Sequence, residues 1–190
     1  MKAIKCVIMI CSFFCMVSCE DEIRDLLDDP EIDINASFVI PITVDVEGLN
    51  NPNQQITFSE LGVYDLLSNP QIAEEVGEAD RIERVVVNSI TYEFKNFSGN
   101  VDADVGGLLL FIVNSEAESF NLQTVNAAES DLFETVYNLP GNFEIISDKI
   151  TETKTVFFNY NGNATHNPVA FTLQVIINAT VTLRLNINDL

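Results

Sequence analysis

The feature that most constrains the fold of this chain is a strict alternation of apolar and polar residues in its last segment. Ten successive odd-numbered positions, from Val169 to Ile187, carry apolar side chains, and the positions between them are mostly polar. Successive side chains of a β-strand point to opposite faces, so this period of two predicts a half-buried strand. One straight strand of that length would be unusual, and we therefore expect it to bend and to serve two sheets or two core regions.

The same period occurs in three earlier segments. Residues 34–46 alternate with Pro41 on the polar face, and because proline donates no backbone hydrogen bond this predicts a sheet edge or a bulge. Residues 153–160 are expected to be the antiparallel partner of the last strand. Residues 81–97 predict a further strand with these side chains facing inward: Ile82, Val86, Ile90, Tyr92 and Phe94.

Residues 108–113 are apolar at every position, which predicts a central strand covered on both faces. A short strand is expected next, around Phe120, Leu122 and Val125. Residues 59–80 lose the period of two and predict short helical turns interrupted at Pro70. The capping-box spacing of Asn126 and Glu129 predicts a helix near residues 127–137.

These elements together predict the fold class. We expect an all-β fold, mostly an antiparallel β-sandwich of Ig-like or jelly-roll-like type, with one or two short helices between strands. One domain over residues 34–190 accounts for the whole pattern, and no internal repeat is evident.

The charge balance excludes one class of partner. Nine Lys and Arg residues stand against 29 Asp and Glu residues, a net charge of −20. A field of that sign repels phosphate backbones and anionic lipid surfaces, so we expect no nucleic-acid partner.

The N-terminus has the organisation of a secretory signal over residues 1–18. Lys2 and Lys5 form a short basic region, and residues 6–18 are uncharged and mostly apolar. Thirteen residues rise only about 20 Å as a helix, less than the roughly 30 Å hydrocarbon core of a bilayer. A cleaved signal is therefore favoured over a permanent membrane span.

The end of that run, Met16-Val17-Ser18-Cys19, resembles the lipobox of bacterial lipoproteins. The resemblance covers about twenty residues, and Met16 departs from the usual leucine. It implies that the signal is cut before Cys19 and that this cysteine is acylated and anchors the protein in a membrane. The alternative is an ordinary signal peptide cut elsewhere, with Cys19 incidental.

The residues directly after the cysteine are acidic. Glu20, Asp21 and Glu22 look like the export tract of Bacteroidota-type surface lipoproteins, which implies an outer-membrane lipoprotein that faces the cell surface. The alternative is a solvated acidic linker, which leaves a periplasm-facing orientation open. Residues 19–33 together are expected to form the acylated anchor and an acidic tether.

The cysteine inventory limits the chemistry of the mature domain. All four cysteines lie in the signal or at its cut site: Cys6, Cys11, Cys15 and Cys19. Cleavage before Cys19 therefore leaves the β domain without a disulfide or a thiolate.

Asn100, Asp102 and Asp104 alternate in a loop before two glycines, as the oxygen ligands of calcium loops do. The sequence does not fit an EF-hand, because Val105 stands where the loop needs glycine and Phe111 where it needs a bidentate acid. A looser calcium site is one interpretation. The other is a solvated hairpin with a bulge at Gly106-Gly107.

No motif in the sequence supports catalysis. It contains no Gly-rich phosphate loop, nucleophile elbow or metalloprotease helix, and His166 is the only histidine. We therefore expect no catalytic residue, and a non-enzymatic protein that binds a protein partner in the cell envelope as an accessory subunit or adhesion module. The alternatives are a carrier or sensor of an apolar ligand inside the β domain and, with less support, a hydrolase.

Overall fold

The computed structural model describes residues 31–49, 51–76, 81–113, 116–129 and 135–184. The strands are β1 (Glu31–Val46), β2 (Ile56–Asp65), β3 (Ile82–Gly99), β4 (Asp104–Val113), β5 (Glu116–Asn126), β6 (Tyr137–Asn138), β7 (Thr155–Ala164) and β8 (Val169–Arg184). A 3-10 turn (Leu66–Ser68) and the helices α1 (Pro70–Val76) and α2 (Glu144–Thr153) lie between strands. Residues 33–183 form one compact unit, and Glu31, Ile32 and Arg184 are assigned to a second.

The strands form two four-stranded sheets. Sheet 1 has the order β1-β8-β3-β6, and sheet 2 has the order β2-β7-β4-β5. The first strand therefore neighbours the last, the second neighbours the seventh, the third the sixth and the fourth the fifth. This nested pairing of eight strands in two sheets is the jelly roll, and it differs from the seven-stranded immunoglobulin arrangement. The predicted mostly antiparallel sandwich is confirmed, with its two short helices.

The alternation of the last segment is confirmed over the described part of β8. All odd-numbered residues from Val169 to Leu183 are buried, while the even-numbered ones are mostly half-buried. Leu185 and Ile187 lie outside the described residues. The expectation that this strand takes part in two sheets is wrong, because β8 belongs to sheet 1 and pairs with β3 over most of its length.

The expected pairing of β7 with β8 is also wrong. β7 belongs to sheet 2, where it lies between β2 and β4. Residues 165–168 instead carry the chain from one sheet to the other, so the neighbours of β8 are β1 and β3. Sequence proximity favoured a hairpin, but the jelly roll places consecutive strands of this kind in opposite sheets.

The first strand is longer than its alternation indicates, since β1 begins at Glu31 and not at residue 34. Its inward residues from Ala36 to Val44 are buried, and Pro41 is exposed on the outer face. β1 is the outermost strand of sheet 1, so the prediction that Pro41 marks a sheet edge is confirmed.

The second strand was not expected, because its polarity is inverted. Leu61 and Val63 face solvent, whereas Glu60 and Gly62 face the core. Gly62 is needed there, because a Cβ would lie 2.7 Å from Cγ1 of Ile42 on the facing strand. The helical turns predicted from residue 59 begin only at Leu66. Their interruption at Asn69-Pro70 is confirmed, since the 3-10 turn ends at Ser68 and Pro70 is the first residue of α1.

The inward face of β3 changes parity along the strand. Register shifts occur between Ile82 and Arg84 and between Val87 and Ser89, and in each an extra residue stands on β3. The expected inward residues are therefore buried except Val86, which is 38% exposed. The prediction for Val86 is wrong because a bulge reverses which face a residue occupies.

Helix α2 covers part of the edge of β3. The Ser147 hydroxyl accepts a hydrogen bond from the Val87 N–H at 2.9 Å, and the Thr151 hydroxyl accepts one from the Val85 N–H at 2.8 Å. These bonds satisfy backbone groups that a neighbouring strand would otherwise pair. Within the described residues, no helix is long and apolar enough to cross a membrane.

The prediction of a helix near residues 127–137 is wrong at both described ends of that range. Ala127 and Ala128 lie in a turn, in which the Ala128 N–H donates to the side-chain oxygen of Asn126. Tyr137 belongs to β6. Residues 130–134 lie outside the described part of the chain. The capping-box spacing thus reflects an Asx turn, which uses the same side-chain acceptor as a helix cap.

A buried asparagine joins the loops at one end of the sandwich. The Asn167 carboxamide oxygen accepts from the Leu49 N–H at 2.6 Å, and its nitrogen donates to the carbonyl oxygens of Asn51 and Gln54, each at 3.0 Å. Its backbone N–H donates to the carbonyl oxygen of Pro52. The loop between β1 and β2 is therefore held against the crossover between β7 and β8.

We expect Asn167→Ala to lower the free energy of unfolding by about 2–4 kcal/mol, because several buried partners lose their hydrogen bonds at once. Urea denaturation monitored by circular dichroism measures this. The matched control is Asn35→Ala, which removes an exposed amide with one bond from Thr180 and should cost less than about 1 kcal/mol. Equal losses in the two variants would contradict the role of Asn167.

Candidate interaction face of the second sheet

Between Asp104 at the start of β4 and Asp65 at the end of β2, the solvent-facing side of sheet 2 carries no charged residue at the positions whose side chains the structure describes. This neutral face is built from alternate residues of four paired strands. Its members are Thr57, Ser59, Leu61 and Val63 of β2, Phe157, Asn159, Asn161 and Asn163 of β7, Gly106, Leu108 and Leu110 of β4, and Ser119 and Asn121 of β5. In a chain with a net charge of −20, such a surface is a distinct chemical environment.

The outer face of sheet 1 differs in its charge. Arg84, Glu93 and Lys95 of β3 face outward there, and Lys95 forms an ion pair with Glu93 at 2.6 Å. Asp33 of β1 accepts a hydrogen bond from the Thr182 hydroxyl on the same face. Charge is thus present within the outer face of sheet 1, whereas on the described outer face of sheet 2 it is confined to the ends, at Asp65 and Asp104.

One half of the neutral face is apolar. Leu61, Val63 and Phe157 are 57%, 50% and 39% exposed, and Val63 stands directly opposite Phe157 on the neighbouring strand. Leu110 is half-buried and lies in the same row as Leu61, with Asn159 between them. We call Leu61, Val63, Phe157 and Leu110 the apolar half. Grouped exposed apolar side chains of this kind mark interaction surfaces more often than scattered ones do.

The other half of the neutral face is polar and forms a groove. Thr57 pairs with Asn163, and Ser59 pairs with Asn161, so four neutral side chains stand at the corners of a rectangle. The groove has a volume of about 490 Å³, and Phe58 and Gly162 complete its lining. A Cβ at Gly162 would clash with the Phe58 ring, so glycine lets that ring lie against β7.

Two buried tyrosines support the sheet from the inside. The Tyr160 hydroxyl donates to the Gly106 carbonyl oxygen at 2.9 Å, and the Tyr92 hydroxyl accepts from the Gln123 N–H at 2.8 Å. Between Val105 and Gly107 the register shifts, with one extra residue on β5. The bulge expected at Gly106-Gly107 is present as a register shift, but the additional residue stands on β5 and not on β4. On β5 the Gln123 N–H donates to the Tyr92 hydroxyl.

Burial changes the acidity of both phenols. The pKa of Tyr160 is raised because desolvation disfavours the phenolate, and nearby Tyr92 raises it further. The pKa of Tyr92 is also raised, mainly by desolvation, although the hydrogen bond from Gln123 acts in the opposite direction. Both side chains are therefore neutral below about pH 10 and serve as hydrogen-bonding groups.

None of the site residues predicted from the sequence belongs to the apolar half or lines the groove. Cys19, Glu20, Asp21 and Glu22 are outside the described residues, so acylation and export remain predictions. Of the proposed calcium ligands, Asn100 accepts from the Asp102 N–H at 3.0 Å.

Asp104 accepts a hydrogen bond from the Asn126 amide at 2.6 Å, and Asp102 is exposed. Among the described residues, no group of three or more His, Cys, Asp or Glu side chains is placed to hold a metal ion. One of the three proposed calcium ligands is the amide of Asn100, which is not one of these residue types. That finding therefore does not test the calcium site, which stays a prediction.

Sequence reasoning missed the neutral face for two reasons. Leu61 was assigned to a helical turn, and Leu108 and Leu110 were expected to be covered, although the structure leaves them half-buried. The signal that could have revealed it is the absence of charge from residues 105–113 and 155–164 in so acidic a chain.

Comparison with known proteins adds little to this description. No protein-family model and no curated protein matches the chain. Among solved structures, the decameric BFDV capsid protein is 10% identical with a TM-score of 0.41, and 82% of this chain and 99% of that chain are covered. A Mud crab tombus-like virus structure is 9% identical with a TM-score of 0.41 and 84% of each chain covered. These likenesses are too distant to indicate a function.

We expect Tyr160→Phe to destabilise the protein by about 1–3 kcal/mol at pH 7, because the buried Gly106 carbonyl loses its donor. Because the pKa of Tyr160 is raised on folding, wild-type stability is complete below the unfolded value near 10 and falls as the pH rises above it. That fall is up to about 1.4 kcal/mol per pH unit for this group and should be absent in the variant. Urea unfolding at pH 8 and pH 11 measures the difference, and parallel pH profiles would contradict it.

Proposed function

We propose that this chain is a lipid-anchored, non-enzymatic protein of the outer membrane or cell surface that binds a protein partner through its neutral face. It acts as an accessory subunit or adhesion module. The observation that carries the proposal is the grouping of exposed Leu61, Val63 and Phe157 on a face whose described side chains include one exposed carboxylate, that of Asp65 at the end of β2.

Burial of that apolar half supplies the binding energy in this proposal. Removing a Val, Leu or Phe side chain from water is worth roughly 1.5–3 kcal/mol when burial is complete. Carboxylates at the same interface would oppose binding, because a desolvated unpaired charge costs several kcal/mol. The apolar half itself contains no carboxylate, and the one on its border is Asp65, two residues beyond Val63 at the end of β2.

The partner that fits has an uncharged apolar centre and a basic rim. Its centre matches the apolar half, and its rim is attracted by the acidic remainder of the chain. Such long-range attraction accelerates association without placing charge in the centre of the interface.

Docking on the face is favoured over addition of a strand at the sandwich edge. Pro41 interrupts the hydrogen-bonding groups of β1, the outermost strand of sheet 1. On β2, the outermost strand of sheet 2, Glu60 faces inward. Proline and inward-pointing charges are two devices that discourage pairing with another strand.

The anchor part of the proposal rests on the resemblance to the lipobox. Two or three acyl chains at Cys19 would hold the protein stably, whereas one chain binds only marginally. The acidic tether would separate the sandwich from the membrane by up to tens of ångströms if it is extended.

The alternative of a carrier for an apolar ligand gains no support from the described core. Rings from both sheets occupy the interior, and Phe58, Phe94 and Tyr160 each have their ring centroid 5.7–6.3 Å from that of Phe171. These side chains fill the space with one another, so we retain the protein-binding proposal.

We expect Cys19→Ala to abolish incorporation of radiolabelled palmitate and to release the protein from the membrane fraction. Replacement of Glu20, Asp21 and Glu22 by alanine should leave acylation intact and protect the protein from protease added to whole cells. Mass spectrometry of the native N-terminus completes the measurement. An unmodified chain that starts at a residue other than Cys19 would contradict the anchor.

We expect a photo-crosslinking residue at Leu61 to form a discrete adduct with an envelope protein in whole cells, whereas the same residue at Val39 should not. Val39 is the matched control because it is 40% exposed but lies on the outer face of sheet 1. Val63→Asp should reduce the adduct at Leu61 at least about tenfold, because it places a charge in the centre of the interface. Val39→Asp should leave it unchanged.

Two results would count against the neutral face as the docking surface. One is the absence of any adduct specific to Leu61. The other is an adduct that Val63→Asp and Val39→Asp reduce equally, since that would indicate loss of folded protein and not loss of an interface.

A further inference from the structure

We infer that the polar half of the neutral face binds a neutral carbohydrate in the groove between β2 and β7. This goes beyond the proposed protein docking, which uses the apolar half of the same face. The groove and the apolar half occupy different rows of the two strands, so their ligands can be tested separately.

The groove presents hydrogen-bonding groups that the protein itself does not use. Within the described part of the chain, the side chains of Thr57, Asn161 and Asn163 have no hydrogen-bond partner. Ser59 donates its hydroxyl to the Asn159 carboxamide oxygen at 3.0 Å and keeps its acceptor lone pairs free. Free amides and hydroxyls therefore converge on one open volume.

The chemistry of these groups matches that of sugar hydroxyls. A hydroxyl donates one hydrogen bond and accepts others, and a carboxamide offers two donors and one acceptor on a single side chain. Carboxylates can only accept and ammonium groups can only donate. A pair of adjacent ligand hydroxyls can thus be satisfied at Asn161 and Asn163 without any charge.

The ligand is neutral because a charged one finds no counterpart. The groove has no basic side chain for an anion, and the net charge of −20 repels anions at long range. It also has no carboxylate that could pair with a cation. An uncharged, hydroxyl-rich molecule is the class that remains compatible with all the lining groups.

The shape of the groove suits an extended chain better than a small enclosed ligand. Its volume of about 490 Å³ lies in the ordinary range for ligand sites, and it is open to solvent. Leu108 lies in register with Asn161 on the neighbouring strand and is half-buried. It provides an apolar surface beside the amide for the C–H face of a sugar ring.

The test is affinity electrophoresis of the full-length chain, kept in a polyoxyethylene detergent that carries no sugar. Native gels contain starch, galactomannan, xyloglucan or, as the anionic comparison, polygalacturonate. We expect retardation in at least one neutral polysaccharide and none in polygalacturonate. The double variant Asn161→Ala, Asn163→Ala should weaken that retardation at least about fivefold, from the loss of two hydrogen bonds.

The matched control is Asn35→Ala, Asn88→Ala, which removes two exposed amides from the outer face of sheet 1 and should migrate as the wild type does. Thermal unfolding of each variant shows that it is folded. The crosslink at Leu61 should persist in the Asn161 and Asn163 variant, which separates failure of this inference from failure of the proposed docking.

Three outcomes would overturn the carbohydrate assignment. They are the absence of retardation in every neutral polysaccharide, equal retardation in polygalacturonate, and undiminished retardation of the folded Asn161 and Asn163 variant. Selective retention of an uncharged peptide, with no retardation by polysaccharide, would likewise assign the groove to a different ligand.

Discussion

The structure depends on one set of contacts, in which aromatic rings from the two sheets meet at Phe171. This residue of sheet 1 packs against Phe58 and Tyr160 of sheet 2 with centroid distances of 5.9 and 6.3 Å, and against Phe94 of its own sheet at 5.7 Å. Nearly perpendicular rings at these distances have favourable edge-to-face geometry and remove large apolar areas from water. The chain has no cysteine in its β domain, so this apolar packing performs the role that disulfides have in many exported domains.

The same contacts determine which residues reach the outer face. Tyr160 is fixed inward by its ring neighbours and by its bond to Gly106, and its neighbours Asn159 and Asn161 must then point outward. The neutral face is therefore a geometric consequence of the core. A residue added or removed in β7 would exchange the two sets and bury the asparagines, so core packing and surface chemistry are specified by one register.

The sequence predicted the fold class well because its signal comes from many side chains at once. The alternation of β8 persists to Leu183, because the extra residue at each register shift with β3 stands on β3 and leaves the period of β8 undisturbed. Prediction was wrong where one residue decides the parity. Extra residues on β3 before and after Val86, at the register shifts with β8, turn that side chain outward. The inverted polarity of Leu61 and Glu60 hid β2, because no local sequence pattern shows that Gly62 will lie against a strand of the opposite sheet. Nested pairing of distant strands is likewise absent from any local window, so β7 and β8 looked like a hairpin.

The candidate site was harder to predict than the fold because it is defined by what neighbouring strands lack together. Asn161, Leu108 and Ser59 are ordinary outward residues when each strand is considered alone, and they become one neutral surface only when the register aligns them. Acidic residues elsewhere keep such a chain soluble and steer partners with basic rims. Restricting them to the ends of one face, at Asp65 and Asp104, favours close contact with the middle of that face, because elsewhere an approaching surface must desolvate carboxylates. An acidic chain in which the middle of one sheet face is uncharged thus limits where it can be bound, and the limit follows from its charge distribution.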